Sequence, residues 1–285
     1  MVWPEDSAIE LSPAPQSPPL VSVVIPVFNT AGLLTETVES LCAQTLTHWE
    51  AFLIDDGSDD GSVALLVALA AQDPRLHLLF TTGRVGPGPA RNQGIQAAQG
   101  RYVAFLDADD LWHPRKLEMQ VAAMRDAKAA LSCTGYLRHN LETGRQTVIG
   151  VPDHASRNDL LKANTIACSS AMYDRGYFGP RQMPAFQGPE DFAFWLALLR
   201  DTPGVLGVPL VLMTYRQHRA SLSAQKSRAA TNTWWMYRNI LGLPLPAAAW
   251  YFGHYALHGF AKHRLPRFSR CVGWLDKAEW PEGPR

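Results

Sequence analysis

The chain has 285 residues, 47% of them apolar and 18% charged, which supplies a sizeable core and excludes a disordered chain. Its 26 Lys and Arg balance 26 Asp and Glu, so no global basic field argues for a nucleic-acid partner. The four cysteines, Cys42, Cys133, Cys168 and Cys271, form neither a CxxC pair nor a metal-like spacing and read as reduced thiols of a cytoplasmic protein.

Residues 1–19 are acidic and proline-rich, lack the apolar core of a secretion signal and read as a flexible tail. No run reaches the roughly 18 uninterrupted apolar residues of a spanning helix, so a soluble or surface-attached chain is expected. From residue 20 to about 127, strand and helix alternate. Residues 20–27 are a continuous apolar, β-branched run, as in a buried parallel strand. Leu33, Leu34, Val38, Leu41 and Cys42 then recur at close to a helical period. Further strands are predicted at 51–54, 76–80 and 102–106, and helices at 63–71, 89–99 and 114–128. Gly100 would cap the third helix, and Pro114 would open the fourth. A repeated strand–helix unit implies an α/β fold with a largely parallel sheet and right-handed crossovers.

Beyond residue 129 the rhythm changes. Strands are predicted at 129–137 and 146–151, joined by a hairpin near Gly144, and another at 166–173. A helix is predicted at 191–200, extended chain at 205–215, and helical, aromatic-rich sequence from about 228 onward. In that last region Trp234, Trp235, Trp250, Tyr251 and Phe252 alternate with Arg238, His254, Lys262 and Arg264. Two readings stand: a helical pair packed on the main domain, or peripheral membrane contact through 230–270. Gly242, Pro244 and Pro246 argue against one continuous helix.

Two acidic clusters follow hydrophobic strands: Asp55-Asp56-Gly57-Ser58 and Asp107-Ala108-Asp109-Asp110. In an open α/β sheet, ligands bind at the carboxyl ends of strands, and carboxylates gathered there repel one another unless a cation or a donor-rich ligand intervenes. Asp107-x-Asp109 suits a hard divalent ion, Mg²⁺ or Mn²⁺, held on a diphosphate. Leu111 stands where a phosphatase-type motif needs Thr, and Val67 stands where an EF-hand begun at Asp56 needs Glu. Asn29 or Thr30 can cap the first helix, and Asp56 is placed to accept from a base or ribose. The glycine-rich stretch 83–94 contains no P-loop; it feeds a helix carrying Arg91 and Asn92, which suits an anionic or hydroxyl-rich ligand.

Several motifs in order make residues 21–117 resemble the family 2 glycosyltransferases with the GT-A fold. They are VSVVIPVFN at 21–29, Glu39-Ser40-Leu41 with Gln44-Thr45, and Asp55-Asp56-Gly57-Ser58 with Asp60. Gly86 with Ala90-Arg91-Asn92 and Gly94, and the run 100–110, complete the set. The resemblance implies an inverting, metal-dependent, hexosyltransferase-type enzyme that takes a nucleoside-diphosphate sugar, UDP favoured, to a hydroxyl acceptor in surface-glycan assembly. The acceptor would be a glycan or a lipid-linked glycan, met in the cytoplasm or at the inner face of the plasma membrane. It places the donor on Pro26, Val27, Phe28, Asn29, Asp56, Ser58, Gly86, Ala90, Arg91, Asn92, Asp107, Ala108, Glu190 and Arg216. The metal falls to Asp109 with His218, and the general base to Asp191 of the Glu190-Asp191 pair. The start of a helix would favour that base's charged form. The implied layout is a tail (1–19), a catalytic domain (20–224, dividing at 127/128) and a C-terminal helical extension (225–285). A non-catalytic sugar-nucleotide-binding protein and a sugar nucleotidyltransferase are the alternatives.

Overall fold

The computed structural model describes residues 18–186, 188–218, 226–264 and 278–281. Residues 1–17 of the tail, and residues 219–225 that follow His218, lie outside the described residues. Strands β1 (Val21–Val27), β2 (Trp49–Asp55), β3 (Leu76–Phe80) and β4 (Tyr102–Phe105) pair in parallel in the order β3-β2-β1-β4. Helices α1 (Ala31–Cys42), α2 (Ser62–Ala70) and α3 (Pro87–Ala97) connect them. All seven residues of β2 are buried, which is why Ala51 to Ile54 run apolar without alternation.

The chain continues through β5 (Leu111–Trp112), α4 (Lys116–Asp126), β6 (Leu131–Asn140), β7 (Gln146–Ile149), β8 (His154–Ala155) and α5 (Arg157–Lys162). It goes on through β9 (Met172–Asp174), α6 (Arg175–Phe178), α7 (Glu190–Leu198) and β10 (Val205–Gln217). The sheet extends past β4 as β9-β6-β10-β5, so one sheet crosses both halves of the expected catalytic domain. Its first four strands are parallel, as the sequence implies. Beyond them it is mixed, because β9 runs antiparallel to both β4 and β6, whereas β10 is parallel to β6.

Two apolar clusters sandwich this sheet. Alternate residues of β1 divide between them: Val24 joins α3, α5 and α7 on one face, while Val23 and Ile25 join α1, α2 and α4 on the other. Several stretches differ from the sequence expectation, among them the fourth helix, which begins at Lys116 and leaves Pro114 outside it. The strand expected at 166–173 is a 3₁₀ turn (Cys168–Ser170) followed by the short β9; the buried serines in that turn bond to loops rather than to a ladder. Helix α3 begins at Pro87, two residues early, with Pro in its first turn. Gly100 is not a left-handed cap. Its N–H donates to Ser22 Oγ at 2.8 Å, and a Cβ built there would stand 2.6 Å from the Ser22 nitrogen.

The C-terminal part comprises α8 (Lys226–Trp235), a π-helical turn (Met236–Ile240) and α9 (Leu245–Arg264). The break falls at Gly242, whose φ of +63° is left-handed, and at Pro244. Met236, Tyr237 and Ala248 are wholly buried in the larger core, and the Tyr237 hydroxyl donates to the Leu161 carbonyl at 2.6 Å.

The close approach at Gly100 yields a test. Gly100→Ala forces backbone apart and is expected to cost about 1–3 kcal/mol in urea unfolding. Gly32→Ala, where a Cβ meets nothing within 4 Å, is expected to change stability little.

Candidate active site

Most of the residues singled out in the sequence converge on the carboxyl ends of β1, β2, β4 and β10 and the starts of α3 and α7. The first acidic cluster serves the loops themselves. Asp55 accepts from the Gly57 and Ser58 N–H groups at 3.1 and 3.2 Å. Asp56 accepts from the N–H groups of Val85 and Gly86, both at 2.8 Å, and from the Thr81 hydroxyl. At 3% exposure, Asp56 is a clamp on the glycine-rich loop. Asn29, in the left-handed region at φ 50°, exchanges two bonds with Asp59 and takes Ser58 Oγ on its own N–H. The N-cap position of α1 holds Thr30, but its side chain makes no cap bond. Asp60 reaches across to accept from Ala31 N–H at 2.9 Å instead.

Pro26 and Phe28 are half-buried and Val27 is fully buried at the end of β1. The Arg84 guanidinium lies over the Phe28 ring, 4.0 Å from its centroid. Sequence reasoning passed over Arg84; its signal was a guanidinium two residues before Gly86 in a loop facing an aromatic. Ala90 and Ala108 are core residues, so any contact they offer a ligand is through backbone. Asn92 exchanges two bonds with the Met183 backbone, at 2.7 and 2.9 Å, and ties α3 to the segment leading into α7.

The second cluster is different. Arg91 lies buried between two acids, its guanidinium 2.5 Å from Asp107 Oδ1 and 3.4 Å from Glu190 Oε1. Its Nε has no hydrogen-bond partner among the described residues. Asp109 Oδ2 lies 2.9 Å from His218 Nε2. Burial and the neighbouring Asp107 push the Asp109 carboxyl above its ordinary value, against the pull of His218. Burial likewise pushes Asp110 well up, reinforced by Asp109 and Asp107.

Asp110 is held by Ser169, which donates to it at 2.6 Å while accepting the Asp107 N–H at 3.0 Å. No motif in the sequence flags Ser169. Beneath it, buried Lys116 donates to Gln120 at 2.6 Å and stands 4.1 Å from the Trp112 ring centroid; burial lowers its pKa to about 7.

Arg216, which the resemblance places at the donor, is turned inward. Its guanidinium donates to the Asp109 carbonyl, to Glu36 at 2.5 Å, to the Leu33 carbonyl and to the Thr37 hydroxyl, and its N–H donates to Asp110. The Asp109 turn is thereby pinned to α1.

Asp191 is half-buried at the start of α7 and accepts its neighbour Phe192's N–H at 2.7 Å. Burial raises its pKa, with Arg91 opposing; the helix start that favours its charge is outweighed. Burial pushes Glu190 up to about 7, again against Arg91.

The donors present fit a divalent ion. Asp109 and His218 offer an oxygen and a nitrogen on one side of an acid cluster whose carboxyls repel each other. Among the described residues no three His, Cys, Asp or Glu form a full cage, which suits an ion that takes the rest of its shell from phosphate and water.

The sequence profile of Glycosyl transferase family 2 matches residues 22–179. The putative teichuronic acid biosynthesis glycosyltransferase TuaG of Bacillus subtilis (strain 168) is 38% identical over 245 residues, 86% of this chain and 97% of its own. The UDP-Glc:alpha-D-GlcNAc-diphosphoundecaprenol beta-1,3-glucosyltransferase WfgD of Escherichia coli is 30% identical over 86% of this chain and 95% of its own. Among solved structures, S. aureus TarS 1–349 in complex with UDP-GlcNAc has a TM-score of 0.66 at 17% identity, covering 89% of this chain and 78% of that one. Mannosyltransferase PcManGT from Pyrobaculum calidifontis, in complex with GDP-Man and Mn²⁺, has a TM-score of 0.62 at 18% identity, covering 93% and 82%.

A helix-flanked sheet carrying acidic clusters at its strand ends, with these structural relatives, has the architecture of the GT-A glycosyltransferases. The chain belongs to glycosyl transferase family 2.

The Ser169 bridge yields a prediction. Ser169→Ala leaves the Asp107 N–H and the buried Asp110 carboxyl each short of a partner. A loss of about 1–3 kcal/mol is expected, read by urea unfolding.

Proposed function

We propose that this glycosyltransferase is inverting and metal-dependent, and that it transfers a hexosyl group from a UDP-sugar to a hydroxyl of a lipid-linked glycan in surface-polysaccharide assembly. The observation that carries the reading is the pairing of two acidic sites across one buried guanidinium. Asp107 and Asp109 lie on the strand side, Glu190 and Asp191 on the helix side, and Arg91 lies between. The UDP-sugar is supported by the relative named for UDP-Glc and by the similar structure holding UDP-GlcNAc. The lipid-linked acceptor rests on the diphosphoundecaprenol in that relative's name. Work at the inner face of the plasma membrane follows from the acceptor, and among the described residues no helix is long and apolar enough to cross a membrane.

On this reading the base lies against Pro26, Val27 and Phe28, beside the loop that Asp56 holds. The diphosphate and sugar lie along Asp107, Ala108 and the start of α3. Asp109 and His218 would hold Mn²⁺ or Mg²⁺, which when bound supplies charge stabilisation to the departing diphosphate. Arg216 serves by fixing the Asp109 turn. Asp191, ionised, takes the proton of the acceptor hydroxyl as its oxygen bonds to the anomeric carbon. The bond to the diphosphate breaks on the opposite face, and the electron pair leaves with UDP. Arg91 keeps Glu190 and Asp107 from repelling each other, and it favours the charged form of Asp191.

Calorimetric titration with UDP, GDP and TDP, each with Mn²⁺ and with chelator, tests the donor site. UDP binding that needs metal and disappears in Asp109→Ala is the expected result; a preference for GDP would reassign the base, and no nucleotide binding would sink the reading. Asp191→Asn is expected to retain UDP binding while kcat drops by roughly 10²–10⁴. Because the base must be ionised and its pKa is raised, the wild-type rate should fall on the acid side at a higher pH than an ordinary aspartate would give. An acid limb near pH 4 in the pH–rate profile would count against Asp191.

A further inference from the structure

The inner side of the C-terminal helices is accounted for by packing. Trp234 meets Phe252 edge-on at 5.4 Å between centroids, and the Tyr251 hydroxyl donates to Asn158 at 2.9 Å. Ala248 is wholly buried. The outer side is not covered by this chain's described residues. Trp250, at 63%, is the most exposed of the large apolar side chains described, and Leu257, two helical turns on, is 52% exposed. With Ala249, Gly253 and His254 they line a shallow, almost wholly apolar depression of about 230 Å³. A contiguous apolar patch left in water signals something that covers it.

Charge indicates what that is. Acids and bases balance over the whole chain, yet from Leu245, where α9 begins, to Leu275 the sequence holds no Asp or Glu and four Lys and Arg: Lys262, Arg264, Arg267 and Arg270. A second copy of this chain on the same face would set two such regions against each other, unscreened by any acid within them. A bilayer rewards both features at once, an apolar helix face bearing Trp and a basic, acid-free sequence in and after the same helix.

We propose that the outward face of α9, centred on Trp250 and Leu257, docks on an anionic lipid bilayer, with the basic, acid-free sequence of α9 and of the residues that follow it supplying the attraction. The helix lies along the surface and does not cross it. This inference is independent of the donor reading and can fail or hold without it.

The test is flotation of the full chain with vesicles of phosphatidylcholine alone or mixed with phosphatidylglycerol. Binding is expected on the mixed vesicles and much less on the neutral ones. It should weaken as salt is raised, and fall about tenfold or more in the double variant Trp250→Ser, Leu257→Ser. Thermal melting of the variant monitors its fold. Should that variant melt early, Gly253→Glu decides instead, since a Cβ at Gly253 meets nothing within 4 Å and the change adds charge to the same face without removing a packed group. Equal flotation of wild type with both vesicle types, no flotation with either, or undiminished binding by a folded variant would overturn the proposal. So would sedimentation showing a wild-type dimer that the double variant abolishes, which would assign the face to a second copy.

Discussion

The buried guanidinium of Arg91 is the constraint on which the site depends. It arrives on α3 and joins the end of β4, through Asp107, to the start of α7, through Glu190. Without it two carboxylates would face each other in a poorly solvated space, and the two halves would lose one of the ion pairs that join them. Such a pair is costly to form, because both partners leave water, but removing one member is costlier, since the other is then stranded. Its value is therefore in geometry. It fixes where the strand-borne acids stand relative to the helix-borne ones.

The two acidic clusters look alike as sequence and behave differently as structure. Asp55, Asp56 and Asp60 have their oxygens engaged by backbone N–H groups, and they hold the loops around the ends of β1 and β2 in shape. Asp109 is partly exposed with a histidine beside it, while Asp110 is drawn inward by Ser169 and the Arg216 N–H. Neighbouring residues thus divide between structure and chemistry. The distinction lies in whether the carboxylate is taken up by the backbone of its own loops or meets side chains from other elements.

How far sequence reaches can be judged on particular elements. Strands β1, β2 and β4 were readable because their middles are buried on both faces and run apolar, and the edge strand β3, partly exposed, still falls at the residues predicted. The alternating unit ended where the pattern said it would. The reversal at β9 was not readable: only three residues long, it is set by pairing with β4 and β6 rather than by its own composition. The gathering of Arg91, Asp107, Glu190 and Asp191 was implied by the family resemblance rather than by pattern or spacing. The inward turn of Arg216 could not, since its partners Glu36 and Thr37 sit on the first helix with no pattern linking them to it. Lys116 is a similar case: a lysine buried against Trp112 and Gln120 looks, in sequence, like any first-turn cation.

That link between Arg216 and Glu36 joins residues 180 positions apart. Its consequence concerns synthesis. At translation rates of about 5–20 residues per second, the first helix waits roughly 10–40 s for its partner to be made. During that interval the nascent chain carries its acid-rich turn without the strand that pins it. The parallel strands can form early and shelter the apolar core, but the reactive geometry closes last. A growing chain therefore passes through its most exposed stages before it is competent to act on a sugar donor.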